Sequence, residues 1–194
     1  MNEAAQMWPL PLRLIHWVSA ALVIAALGVG TCMVQLVEDP AERFDLTQIH
    51  KSIGITVFAL TVARLCVRLL TAAPKAEPFA PPLRLAAQAT HICLYALLLL
   101  LPLSGLLMIT TTPVRIPTNL FGLVELPYPL APDLTVYRSA HAVHVTAAIS
   151  LAVLIVLHVA AALVHTLWWR DRTVVRMWRK STGCCLQAQD QARG

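Results

Sequence analysis

Charge is scarce in this 194-residue chain: Asp, Glu, Lys and Arg make up 13% of it, against 58% hydrophobic residues. Soluble domains average about 25% charged and about 45–50% apolar residues, so a water-soluble globule is excluded. Intrinsic disorder is excluded for the same reason, since the mean hydropathy is +0.68. Cysteine motifs are missing too. The five cysteines (Cys32, Cys66, Cys93, Cys184 and Cys185) form no C-x-x-C or C-x-x-C-H, which removes a disulfide framework, a zinc knuckle and covalently attached haem. No internal repeat or second domain is visible. An integral membrane protein remains, and seven histidines stand out in so apolar a chain.

A helix needs about 20 largely apolar residues to cross a bilayer, and four stretches qualify. They run over about 12–36, 49–70, 86–112 and 141–169. An acidic connection (Glu38, Asp39, Glu42, Asp45), a proline-rich one (Pro74, Pro78, Pro81, Pro82) and a longer loop from Pro113 to Arg138 separate them. Proline cannot continue a helix and biases its predecessor away from helical geometry. The expectation is an all-α membrane four-helix bundle forming a single domain over 1–194, with a basic tail at 170–194. The first span is too long for a signal-peptide core and has no clear small-residue cleavage site, so it reads as a true span. Trp8, Trp17, Trp168 and Trp169 fall near the boundaries, where aromatic belts lie.

Lys and Arg set the orientation. Arg13, Arg64, Arg68, Lys75, Arg84, Arg170, Arg172, Arg176, Arg179, Lys180 and Arg193 fall on one side; Arg43, Lys51, Arg115 and Arg138 fall on the other. Both termini are therefore expected in the cytoplasm. The basic tail reads as an anchor to membrane lipid rather than to nucleic acid.

Histidines inside a span are costly enough to be functional candidates by default. His144 and His158 lie 14 residues apart on the fourth span, about 21 Å along the axis and within about 40° of one face. His16 lies at the depth of His158, and His50 at the depth of His144. Two cross-helix pairs follow, the way a helix bundle builds cofactor sites from facing side chains. Two imidazoles across a gap suit a haem iron. Zinc wants a third and fourth ligand nearby, and no carboxylate or cysteine falls at these depths. Gly54, four residues after His50 on the same face, is expected to let a flat macrocycle approach the backbone. Gly28 and Gly30 are less specific. His91 opens the third span on the cytoplasmic side, suited to fixing a propionate or a loop. His141 lies one turn before His144, shallower than it. Cys32, Cys66 and Cys93 read as small packing residues.

The strings Leu14-Ile15-His16-Trp17, Ile49-His50-Lys51-Ser52-Ile53-Gly54 and Val62-Ala63-Arg64-Leu65-Cys66-Val67-Arg68-Leu69 resemble the bacterial cytochrome b561 family. So do His91 through Tyr95, Leu101-Pro102-Leu103-Ser104-Gly105-Leu106, and His144 with His158 and His165 ahead of Trp168. The resemblance covers roughly 10–180. It implies a multi-pass bacterial inner-membrane protein with two haem b groups, held by His16 with His158 and by His50 with His144. It also implies electron transfer between the periplasmic face and the quinone pool, with superoxide oxidised and ubiquinone reduced in at least one branch.

On that reading Lys51, Arg115 and Arg138 are candidates for an outer superoxide site, although acidic residues outnumber basic ones on that side. Lys51 is equally suited to a haem propionate. His165, Trp168, Arg64 and Arg68 are candidates for quinone contact, His165 first because an imidazole can donate a proton to a quinone carbonyl. A haem subunit serving a partner redox protein such as a hydrogenase is the alternative. A histidine-based ion transporter is a further one.

Overall fold

A computed structural model describes residues 7–72, 80–171 and 173–178. Four long helices form the body: α1 (Leu10–Gln35), α2 (Pro40–Leu70), α3 (Pro81–Thr111) and α4 (Leu134–Leu167). A two-stranded hairpin, β1 (Asn119–Leu120) and β2 (Val124–Glu125), lies in the α3–α4 loop, and a single turn, α5 (Val175–Trp178), follows α4. At about 1.5 Å per residue, helices of 26 to 34 residues exceed the roughly 30 Å hydrocarbon core. All four are long and apolar enough to cross a membrane. The expected bundle is present.

The helices outrun the expected spans because local chemistry, not hydropathy, decides where a helix starts. Proline occupies the first turn of α1, α2 and α3, where its missing N–H costs nothing. Asp39 accepts from the Ala41 amide at 3.0 Å, so Glu42 and Asp45 belong to the first turns of α2 and not to a loop. Asp133 accepts from the Thr135 and Val136 amides at 2.8 and 3.0 Å, starting α4 well ahead of His141. The expected breaks at Pro74 and Pro78, Lys75, Arg172 and the tail with Arg179, Lys180, Cys184, Cys185 and Arg193 lie outside the described residues.

α1 packs along α2 and α3 along α4, and α2 meets α3 less extensively. Each helix turns a narrow stripe inward. In α1 the buried positions are Leu12, Ser19 and Val23, and in α4 Ala140, Ala147 and Leu151. These lie four or seven residues apart, the spacing of one helical face. Many are small, which lets backbones approach where no hydrophobic effect drives helices together. His16 falls within the first stripe, and His144 and His158 extend the second. Val23, Val57 and Leu151 form the midplane core, flanked by Leu22, Leu27, Ile53, Leu94, Leu97, Leu98, Leu101 and Ile155.

At the end of the bundle opposite the termini, here the outer end, the hairpin is tied to α2. Phe121 and Gly122 both take positive φ, 50° and 70°, in the three-residue loop between the strands, where the Leu123 amide donates to Leu120 O at 2.8 Å. Ser52 Oγ accepts from the Phe121 amide at 3.0 Å, Gln48 binds Pro117 O and the Asn119 amide, and Lys51 Nζ donates to Thr118 Oγ1 at 2.9 Å. Thr118 is fully buried by this clasp. Replacing Asp133 with Ala removes the cap of α4 and is expected to cost about 1 kcal/mol, read as a lower melting temperature of the detergent-solubilised protein.

Candidate functional site

The outer pair is His50 on α2 and His144 on α4, with ring centroids 6.2 Å apart. Both rings are oriented from behind. His50 Nδ1 lies 3.0 Å from the Ala26 carbonyl, and His144 Nδ1 lies 3.0 Å from Leu101 O and 3.1 Å from Ser104 Oγ. A carbonyl only accepts, so Nδ1 carries the proton in each ring. In the uncharged imidazole this leaves the Nε2 lone pair for a ligand, the outer-shell arrangement common to metal-binding histidines.

Two glycines seat these rings. A Cβ on Gly30 would meet the His50 ring at 3.1 Å, and one on Gly105 the His144 ring at 3.3 Å. The glycine singled out from spacing, Gly54, instead faces open space, which leaves room beside His50. Gly30 and Gly105 had no signal in spacing along one helix, because each meets a histidine of another helix.

The inner pair is His16 on α1 and His158 on α4, with centroids 6.5 Å apart. His91 on α3 joins them, its ring 5.9 Å from His158, so the loop-fixing role considered for it gives way to a place in the cluster. Arg64, on the inward face of α2, acts electrostatically on all three histidines, and its guanidinium sits 5.5 Å over Tyr95. Among the described residues it meets no carboxylate. Ser19 Oγ, one turn from His16, is buried with no hydrogen-bond partner among the described residues, a position that in native proteins calls for a bound group or water. Arg68 does not enter this cluster; it lies 5.1 Å over the Trp8 ring.

In the last turn of α4, His165 Nδ1 bonds the Asp171 carboxylate, and Trp169 meets the His165 ring edge-on at 4.6 Å. Trp168 is 83% exposed, so the aromatic neighbour of His165 is Trp169. At the outer end Lys51 is engaged by Thr118. Arg115 donates to Leu130 O at 3.0 Å and covers Tyr128, and Arg138 is exposed. The His141 ring stacks on Tyr137.

The residues fit a haem. A metal–imidazole bond of about 2 Å on each side, plus about 1 Å from nitrogen to ring centre, places two centroids about 6 Å apart. Both pairs have that spacing, and so does His91 with His158. Among the described residues no group of three or more His, Cys, Asp or Glu could hold a metal ion, which disfavours a closed zinc cage. A haem iron needs only two protein ligands, because the porphyrin supplies the rest. Gly105→Ala is expected to push His144 by a few tenths of an ångström off Leu101 and Ser104. The measurement is bound haem per protein, which should fall.

The model of the prokaryotic cytochrome b561 family matches residues 7–180. A relative described as cytochrome b561 homolog 2, from Escherichia coli (strain K12), is 36% identical over 168 residues, covering 86% of this chain and 88% of that protein. With both matches extending over most of its length, the chain belongs to the prokaryotic cytochrome b561 family, bacterial membrane proteins of b-type haem electron transfer.

Proposed function

We propose that the chain carries two haem b groups in the inner membrane, with its termini cytoplasmic, and moves electrons from superoxide at the periplasmic face to ubiquinone near the cytoplasmic face. One observation carries this reading: two histidine pairs, each spaced for a single metal, stand at opposite ends of one bundle with an apolar layer between them. His50 and His144 would hold the outer group, and His16 and His158 the inner. Bound there, haem supplies a one-electron iron couple. With both histidines of a pair engaged by the group, exchange with substrates would be outer-sphere.

The reaction balances as two superoxide ions each losing one electron to become oxygen, while ubiquinone takes two electrons and two protons to become ubiquinol. Lys51, Arg115 and Arg138 keep positive charge at the outer end, where attraction of an anion must be local because the surrounding acidic residues oppose it. Arg64, a cation among three imidazoles, is suited to haem carboxylates. His165, held between Asp171 and Trp169, is suited to passing protons to the quinone carbonyls. Arg68 and Trp168 lie at the same end and complete the candidate quinone set.

A second reading has its own observation. Phe121, Leu123 and Val124 at the hairpin tip are 65%, 84% and 57% exposed, an apolar knob suited to docking a periplasmic redox partner. Purified protein exposed to a superoxide flux separates the two. The expected outcome is reduction of haem without any partner, and its absence rejects superoxide as donor. His144→Ala and His158→Ala are each expected to halve the haem content; a variant that keeps both haems rejects the assigned pairs.

A further inference from the structure

The described residues hold one carboxylate–imidazole pair, at the point where the chain leaves α4. We propose that Asp171 is the positioning residue for His165, fixing the ring as the proton-delivering element of the quinone end. This inference rests on the reading of His165 as a quinone contact and adds the group that orients it.

The chain is built to bring these residues together. Asp171 lies six residues beyond His165, past the end of α4, where a continuing helix would carry it away. Arg170 instead takes φ +51°, a left-handed conformation uncommon for a residue with a side chain. The backbone reverses there. The Asp171 amide donates to His165 O at 3.1 Å, and the Asp171 carboxylate returns to His165 Nδ1.

The second carboxylate oxygen accepts from the Thr173 amide at 2.8 Å, and Thr173 Oγ1 lies 3.4 Å from His165 Nδ1. Burial pushes the Asp171 carboxyl up, but hydrogen bonds from His165 and Thr173 outweigh it and hold the group below the usual carboxylate range. The carboxylate is thus charged at neutral pH and can only accept.

The chemistry follows from that charge. An accepting carboxylate keeps a proton on Nδ1, so proton exchange is assigned to Nε2. The ring takes a second proton from the aqueous side while its Nδ1–H stays on the Asp171 carboxylate. The ring then gives that proton from Nε2 to a quinone oxygen and returns to the neutral form. The carboxylate itself gains and loses no proton. Two such transfers match the two electrons that reach the quinone.

A merely structural role is separable, because the amide bond that holds the reversal belongs to the backbone. Asp171→Asn keeps a side-chain oxygen for Nδ1–H while it removes the charge and the acceptor for the Thr173 amide. The experiment measures steady-state reduction of a short-chain ubiquinone by haem-loaded Asp171→Asn, Asp171→Glu and His165→Gln, with haem content as the check on folding. Asp171→Asn is expected to lower kcat at least about tenfold, with little change in KM and native haem content, and Asp171→Glu to recover part of it. Native kcat in Asp171→Asn beside a slow His165→Gln overturns this inference and leaves the quinone reading standing. Native kinetics in His165→Gln overturn both.

Discussion

An imidazole in a lipid-embedded bundle has to satisfy two nitrogens without help from water, and that requirement organises this molecule. At the outer pair each Nδ1 is satisfied by a backbone carbonyl of a neighbouring helix, which leaves the Nε2 lone pair of both rings for a ligand. The arrangement fixes more than the rings. It makes α1 and α3 structural partners of histidines carried by α2 and α4, so the two tight helix pairs cannot slide without breaking a buried hydrogen bond. The small residues of the inward stripes and the two ring-seating glycines serve the same purpose. They bring backbones close enough for a carbonyl of one helix to reach an imidazole of the next.

The two ends of the bundle meet this requirement differently. At the outer end the satisfaction is internal and the rings are locked by backbone. At the inner end three histidines share space with an arginine that has no counter-charge and a serine hydroxyl with no partner among the described residues. Such a cluster is expensive in a low-dielectric setting. It is the end at which an anionic or hydrogen-bonding ligand would lower the energy most, whereas the outer end asks mainly for iron.

Much of this was legible in the chain. The 14-residue interval between His144 and His158 is a property of one helix, and depth matching needs only the four spans, so the pairs can be read without coordinates. Relations between helices were less legible. Gly30 and Gly105 matter because of rings on other helices, and Gly54, chosen from its position on α2, faces open space. His91 could be placed at the right end but not against His158. The helix starts at Pro40 and Leu134 depend on aspartate caps that a hydropathy window ignores. The Asp171–His165 pair depends on a left-handed residue at Arg170, a conformation with no reliable signature in an Arg-Asp sequence.

The midplane layer of Val23, Val57 and Leu151 carries an electrical consequence. Thr61, the buried polar residue beside it on α2, spends its hydroxyl on the Val57 carbonyl of its own helix, so the layer offers no polar step for a proton. Electrons can tunnel through packed hydrocarbon over short range; protons cannot follow. In the proposed direction negative charge would move inward while the matching protons are drawn from the inner side, so each turnover would be electrogenic. It runs against a membrane potential that is negative inside, at about 2.3 kcal/mol per electron for each 100 mV spanned. The bundle would therefore be throttled by the energisation of the membrane in which it sits.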